Sequence, residues 1–87
     1  SAMPDFTEVY REYFAGVYRY ALALCGDPSL AEEITQETFF RSLAAIDGFR
    51  GDCSLFAWLC RIARNTYFST RRDPELLAGP LPGGPPL

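Results

Sequence analysis

The stretch SLFAWLCRIARNTYFSTRR, residues 54–72, decides the fold class of this chain. Ser54 is a favoured helix N-cap, and apolar residues then recur three and four positions apart, which is the period of one helix face. The expected inner stripe consists of Leu55, Leu59, Ile62 and Thr66, with Trp58 beside it. Because Asp73 precedes Pro74 and is therefore disfavoured in the helical region, we predict a helix over residues 55–72.

Working outward, the same period predicts a first helix near the start of the chain. Asp5 and Glu8 have the spacing of a capping box, and Gly26 before Asp27-Pro28 marks the C-terminal end. The apolar positions of this helix form two stripes. The first consists of Phe6, Val9, Tyr10, Tyr13, Val17, Tyr20, Ala21 and Leu24. The second consists of Phe14, Tyr18, Leu22 and Cys25. Gly16 costs this helix about 1 kcal/mol against alanine, and would let another helix approach closely.

A second helix is predicted between these two. Ser29 and Glu32 have the spacing of another capping box, and the helix should run to about Ile46 before Asp47 and Gly48 end it. Its expected core positions are Leu30, Ile34, Phe39, Leu43 and Ile46. Residues 48–54, GFRGDCS, then form a short loop that leads to the third helix.

These elements predict an all-α fold. No segment alternates apolar and polar residues as a half-buried strand does, so we expect a small three-helix bundle, with room for a short extra helical turn in the loop. Residues 4–73 are the expected domain, and residues 1–3 resemble a tag remnant and a start. Residues 74–87 hold five of the seven prolines, which is typical of a linker or tail.

Composition excludes several classes of protein. No apolar stretch is long enough to cross a membrane and no signal-peptide pattern is present, so we expect a cytoplasmic protein without membrane insertion. Three cysteines and no histidine offer no metal-ligand spacing. No nucleophile–base pair or phosphate-binding loop appears either, so we expect neither an enzyme nor a cofactor.

The net charge of −3 conceals a division along the chain. Residues 1–40 carry seven acids and two arginines, whereas residues 41–72 carry six arginines and two acids. Every basic residue is arginine, which binds phosphate bidentately and stacks on bases. This separation indicates two different partner surfaces.

The first candidate surface lies on the second helix. Glu33, Gln36, Glu37 and Phe40 are spaced so that they share one helix face. Such a face is often merely solvated. A phenylalanine among carboxylates instead favours an arginine-rich helical partner.

The second candidate surface follows the third helix, where arginines alternate with planar side chains. Its members are Trp58, Arg61, Asn65, Phe68 and Arg72, flanked by Arg64 and Arg71. Single-stranded nucleic acid is bound in this way, by cations on phosphates and planar groups on bases. The alternative is that the aromatic residues belong to the core and the arginines are solvated, and for Trp58 we expect a core position.

The loop before this helix adds to the nucleic-acid hypothesis. Gly48 and Gly51 would let the backbone approach a ligand, and Phe49 and Arg50 stand between them. Beside a basic helix, this combination could form a pocket for one extruded base.

Three segments together resemble a known family. They are AEEITQETF (residues 31–39), FRG (49–51) and WLCRIARN (58–65). In this order and spacing they closely resemble region 2 of the extracytoplasmic-function (ECF) sigma factors, over roughly residues 6–72.

The resemblance implies a role for each surface. Glu33, Gln36 and Glu37, with Phe40 and Leu43, would bind the clamp helices of the RNA polymerase β′ subunit. The loop residues Phe49, Arg50, Gly51, Asp52 and Ser54 would capture a flipped base of the promoter −10 element on the non-template strand. Arg61 and Asn65, with Arg64 and Phe68 beside them, would hold or read that strand, and Arg71 and Arg72 would contact phosphates.

The resemblance also implies an anti-sigma factor as a partner, which could hold the chain at the membrane. Two features depart from the family pattern. The helix-turn-helix domain that reads the −35 element is absent from residues 1–87, and Asp52 places a carboxylate beside the expected DNA path. The alternative function is a helical protein-interaction module without a role on DNA.

Overall fold

The computed structural model describes residues 5–72, without the side chains of Arg71 and Arg72. Three α-helices fill this range: α1 (Phe6–Cys25), α2 (Pro28–Ala45) and α3 (Leu55–Arg72). A 3-10 turn, Ile46–Gly48, follows α2, and no strand occurs within residues 5–72. The all-α three-helix fold is confirmed, including the short extra turn. The expected N-terminal remnant and the proline-rich segment 74–87 lie outside the described residues.

Asp5 and Gly26 cap α1 as predicted, although the capping-box bonds between Asp5 and Glu8 do not form. The side chain of Asp5 accepts a hydrogen bond from the amide of Thr7 at 3.1 Å, which satisfies one of the free amides of the first turn. At the other end Gly26 has a φ of 71°, and its amide donates to the carbonyl of Leu22 at 2.7 Å. Only glycine adopts this left-handed conformation without strain, so Gly26 ends the helix.

The start of α2 differs from the prediction. Asp27, not Ser29, is the N-cap residue, and its carboxylate accepts from the amide of Ser29 at 3.0 Å. Pro28 occupies the first helical position, where its missing N–H costs nothing and its fixed φ suits the helix. The cap therefore lies two residues earlier than the capping-box spacing indicated. At the far end Ile46 belongs to the 3-10 turn, not to α2.

Each helix packs against the other two. The buried apolar core is built from all three, with Val9, Val17, Ala21, Ala31, Ile34, Phe39, Leu59, Ala63 and Tyr67. Phe39 is the centre of an aromatic cluster, with ring centroids of Tyr10, Phe14 and Phe6 at 4.9, 6.3 and 6.4 Å. These contacts join α1 to α2.

The buried side of α2 carries hydroxyl residues, which the apolar pattern did not indicate. Thr35, Thr38 and Ser42 are fully buried, and each hydroxyl donates to a backbone carbonyl about one turn earlier, at 2.7–2.8 Å. No buried side-chain polar atom in the described range lacks a partner. The core position predicted for Leu43 is wrong, because this side chain is 53% exposed. Leu30 and Ile46 are half-buried.

Gly16 of α1 lies against the Phe56 ring of α3. A methyl group added there would lie 2.8 Å from a ring carbon of Phe56, closer than packed carbon atoms approach. The Phe56 ring also stacks on Tyr13, with centroids 6.2 Å apart. The Phe56 side chain of α3 thus occupies the space that a side chain at position 16 would need. None of the described helices is both long and apolar enough to cross a membrane.

Candidate nucleic-acid interface and acidic helix face

The acidic face of α2, defined as Glu33, Gln36, Glu37, Phe40 and Leu43, is exposed at all five positions. Phe40 is 70% exposed. At about 100° per residue it lies roughly 160° around the helix from buried Thr38 and Ser42, and so points away from the core. Together with exposed Leu43, three residues further along the helix, it forms an apolar patch, and such patches mark contact surfaces.

One carboxylate of the acidic face has a partner within the helix. Glu37 accepts from Nε of Arg41 at 2.9 Å, and both side chains are about half exposed. Gln36 donates to Glu32 at 3.5 Å, one turn earlier. Glu33 makes no ion pair with any described side chain.

A groove between α2 and α3 adjoins the acidic face. It has a volume of about 270 Å³ and is lined by Leu30, Glu33, Ile34, Glu37, Arg41, Thr66 and Thr70. Sequence spacing predicted the acidic face but not its continuation to Thr70, because that contact joins two helices. The face is therefore wider than one helix.

The arginine seam of α3, defined as Arg61, Arg64, Asn65 and Phe68, is exposed along its length. The guanidinium of Arg64 lies 5.0 Å from the ring centroid of Phe68, a cation–π distance. Phe68 is 40% exposed and also meets Tyr67 edge-on at 5.1 Å. Arg71 and Arg72 continue α3, but their side chains lie outside the described part.

Within the described part of the chain, the cations of the seam have no carboxylate partner. Among the described side chains the one ion pair is Glu37–Arg41, so Arg61 and Arg64 of the seam, and Arg50 of the preceding loop, have no carboxylate partner there. Unpaired arginines on one side of a helix provide the positive potential that attracts phosphate.

Trp58 lies at the border of the seam. It is half-buried and packs against the core, as the sequence predicted. Its ring also meets Phe49 of the loop, with centroids 5.1 Å apart and planes inclined by 48°. Phe49 is accordingly half-buried, whereas Arg50 and Asp52 are exposed.

The loop is anchored by hydrogen bonds at both ends. The amide of Phe49 donates to the carbonyl of Ile46 at 3.0 Å, and the Ser54 hydroxyl accepts from the amide of Ala57 at 3.0 Å. Ser54 is thus the N-cap that the sequence predicted. Gly51 has a φ of 81°, which favours glycine, while Gly48 has no positive φ.

The cysteines do not form a cluster. Cys60 is buried, and desolvation raises the pKa of its thiol, so the thiol stays protonated at neutral pH. Cys25 donates to the carbonyl of Asp27 at 3.4 Å, and Cys53 is half-buried in the loop. Within residues 5–72 no three His, Cys, Asp or Glu side chains could hold a metal ion.

Residues 9–74 match the sequence model of the family described as sigma-70 region 2. The chain belongs to the sigma-70 region 2 family. The matched range contains the acidic face, the loop and the arginine seam. The resemblance to region 2 of the ECF sigma factors is confirmed by the relatives of this domain.

Three relatives of this sigma-70 region 2 domain illustrate the similarity. The ECF RNA polymerase sigma factor SigE of Mycolicibacterium smegmatis is 35% identical over 83% of this chain and 28% of its own length. SigM of Bacillus subtilis is 37% identical over 69% of this chain and 36% of its own. SigG of Mycobacterium tuberculosis is 46% identical over 69% of this chain and 15% of its own. The domain therefore spans less than half of each relative, and no solved structure matches it.

Proposed function

We propose that this chain acts in bacterial transcription initiation, binding core RNA polymerase with α2 and the opened promoter −10 element with the loop and α3. The observation that carries this proposal is the arginine seam, whose exposed cations have no carboxylate partner among the described residues and lie on the helix that follows a glycine-containing loop. Family membership supplies the context of a sigma factor.

The polymerase half of the proposal rests on the acidic face. Glu33, Gln36 and Glu37 offer carboxylate and amide oxygens to arginines of the β′ clamp helices, and Phe40 and Leu43 offer exposed apolar surface beside them. Burying Phe40 on docking removes apolar surface from water, which favours association. The carboxylates would set the orientation of the partner helices.

The promoter half rests on base capture. A base leaving the duplex stack costs a few kcal/mol, and pocket contacts and phosphate neutralisation offset that cost. In this proposal Arg50, Arg61 and Arg64 hold phosphates of the non-template strand, while Asn65 presents its amide to a base edge. Phe49, Gly51, Asp52 and Ser54 belong to the capturing loop, and Phe68 offers its ring to a base. Arg71 and Arg72 would extend the phosphate contacts.

Asp52 is the one member of this set whose charge opposes DNA binding. Its exposed carboxylate could accept a hydrogen bond from a base amino group, and in that role it would select among bases. The chain itself would break no covalent bond, so we propose that it is not an enzyme.

The remaining partners are also proposals. With a net charge of −3 the chain attracts DNA only locally, so strand binding should depend on prior docking to polymerase. An anti-sigma factor that covers the acidic face and the seam would keep the chain inactive in the cytoplasm or at the membrane. Residues 74–87 would connect this domain to a second one that reads the −35 element.

A direct test uses fluorescent single strands with varied −10 sequences and a fragment carrying the β′ clamp helices. The chain with the fragment should bind a subset of strands more tightly than the rest, and the affinity should fall with salt. If the fragment binds but every strand is ignored at low salt, the chain is a protein-interaction module and the promoter proposal is wrong.

A further inference from the structure

Besides the hydrogen bonds at its two ends, the loop makes an aromatic contact with the bundle. The ring of Phe49, the first residue after the 3-10 turn, lies 5.1 Å from the ring of Trp58. Trp58 in turn packs against the buried core of all three helices. The ring of Phe49 is thereby linked through Trp58 to the buried core.

The middle of the loop has little else to hold it. In the described structure the loop's backbone hydrogen bonds occur at Phe49 and Ser54, and no hydrogen bond involves residues 50–53. Gly51, at a φ of 81°, lies within that segment. A six-residue loop fixed only at its ends would sample many conformations, and each added contact reduces their number.

Phe49 is also poorly placed to stack on a base. Its side chain is half-buried, and its ring already contacts Trp58. Base stacking requires an accessible ring, and Phe68, at 40% exposure, is the more exposed of the two phenylalanines. The neighbouring exposed groups, Arg50 and Asp52, are those free to meet a ligand.

We propose that Phe49 and Trp58 form an anchor that positions the base-capturing loop, so that Phe49 acts as a positioning residue and not as a stacking platform. This inference rests on the proposed function. It assigns base selection to the groups that the anchored loop presents, namely Arg50, the backbone around Gly51, and Asp52.

Two substitutions at Phe49 separate the two roles. Phe49→Ala removes both the anchor and the ring. Phe49→Leu keeps an apolar contact with Trp58 but has no ring to stack on a base. An anchor is therefore rescued by leucine, whereas a stacking platform is not.

The first measurement needs no DNA. Alkylation of Cys53, half-buried in the loop, reports on loop order, and the tryptic peptide of residues 51–61 also contains buried Cys60 as an internal folding control. In Phe49→Ala the Cys53 rate should rise about threefold or more while the Cys60 rate stays constant. Phe49→Leu should remain near the wild-type rate. An unchanged alkylation rate of Cys53 in Phe49→Ala would show that the Phe49–Trp58 contact does not order the loop, and would overturn the inference.

The second measurement uses the complex with the β′ clamp fragment and strands that differ at the captured base. The anchor predicts that Phe49→Ala lowers the ratio of affinities between best and worst strand about tenfold, and changes the worst strand by less than about twofold. Phe49→Leu should keep the ratio. A uniform loss on every strand in both variants would show stacking and overturn the inference.

The role of Trp58 is tested by a double-mutant cycle. In a Trp58→Leu background, Phe49→Ala should produce little further loss of base preference, because the anchor is already broken. Independent, additive losses would contradict the pairing. If the wild-type chain binds no strand, the proposed function fails, and the Cys53 measurement still decides whether the loop is anchored.

Discussion

Glu37 and Arg41 are joined by a 2.9 Å ion pair along the exposed side of α2. Both side chains remain about half exposed, and an exposed pair at this spacing contributes only about 0.3–0.5 kcal/mol to the free energy of unfolding. The pair is therefore weak enough for Glu37 to leave Arg41 and bind an arginine of a docking partner instead.

Glu37→Arg should prevent position 37 from binding an arginine of the partner. It reverses one charge of the acidic face, and we expect binding of the β′ clamp fragment to weaken about tenfold or more at low salt, with little change in the melting temperature. Fluorescence anisotropy with the labelled fragment measures this. Glu12→Arg is the control: it makes the same charge change at an exposed position of α1, and it should leave the affinity for the fragment nearly unchanged. Equal losses in both variants would mean that net charge, not the acidic face, drives docking.

Asn65→Ala should change which base is preferred without affecting docking on polymerase. If the amide reads a base edge, its loss should reduce discrimination by about 1–3 kcal/mol at one strand position. Titrating the clamp-bound chain with single strands varied at each position measures this. Arg61→Ala is the contrast, because losing a phosphate contact should weaken all strands alike and lower the salt dependence. An identical response of the two variants would refute the division between reading and holding.

Asp27→Ala should destabilise the domain by about 1 kcal/mol, because the N-cap bond to the amide of Ser29 is lost. For a domain of this size that corresponds to a melting temperature about 4–8 °C lower. Ser29→Ala is the matched control and should be nearly neutral, since the Ser29 side chain does not cap the helix. Thermal unfolding followed by circular dichroism separates the two. A larger destabilisation by Ser29→Ala would mean that Ser29 caps the helix, as the capping-box spacing indicated.

These cases show which parts of the fold were predictable. The helix ends at Asp5, Gly26 and Ser54 depend on local geometry, and the sequence predicted each. The α2 cap was missed because Asp27 and Ser29 are both good N-cap residues, and spacing alone favoured Ser29. Proline at the first helical position was the overlooked signal, since it requires the cap to be the residue before it.

The core of α2 was harder to predict for a different reason. A search for apolar periodicity treats Thr35, Thr38 and Ser42 as polar residues. In the structure each hydroxyl donates a hydrogen bond to a carbonyl of its own helix, so the side chain can be buried. Leu43 was assigned to the core because it is apolar, but it lies on the exposed side. The contact of Phe49 with Trp58 joins residues from a loop and a helix, so periodicity could not indicate it. The functional roles of the site residues stay predictions.

High pH should destabilise the domain through Cys60. Burial raises the pKa of this thiol above its ordinary value of 9.0, so near and above pH 9 the unfolded chain releases a proton that the folded chain retains. The stability contributed by the protonated thiol is complete below about pH 9 and is lost as pH rises through the folded-state pKa. Urea unfolding at pH 7 to 10 gives the free energy of unfolding at each pH. In Cys60→Ala this free energy should fall less steeply as the pH rises. An unchanged pH dependence in this variant would mean that other groups cause the loss of stability.

Gly16→Ala should show opposite signs in two backgrounds. Alanine gains about 1 kcal/mol of helix propensity over glycine, but in the wild-type chain its methyl group would meet the Phe56 ring at 2.8 Å and displace it from Tyr13. We therefore expect a neutral or destabilising effect there. In a Phe56→Ala background the space is open, and the same substitution should stabilise by about 1 kcal/mol. Chemical denaturation of the four variants gives the coupling energy. If Gly16→Ala stabilises equally in both, the ring of Phe56 moves aside at no cost, and close packing does not explain the glycine.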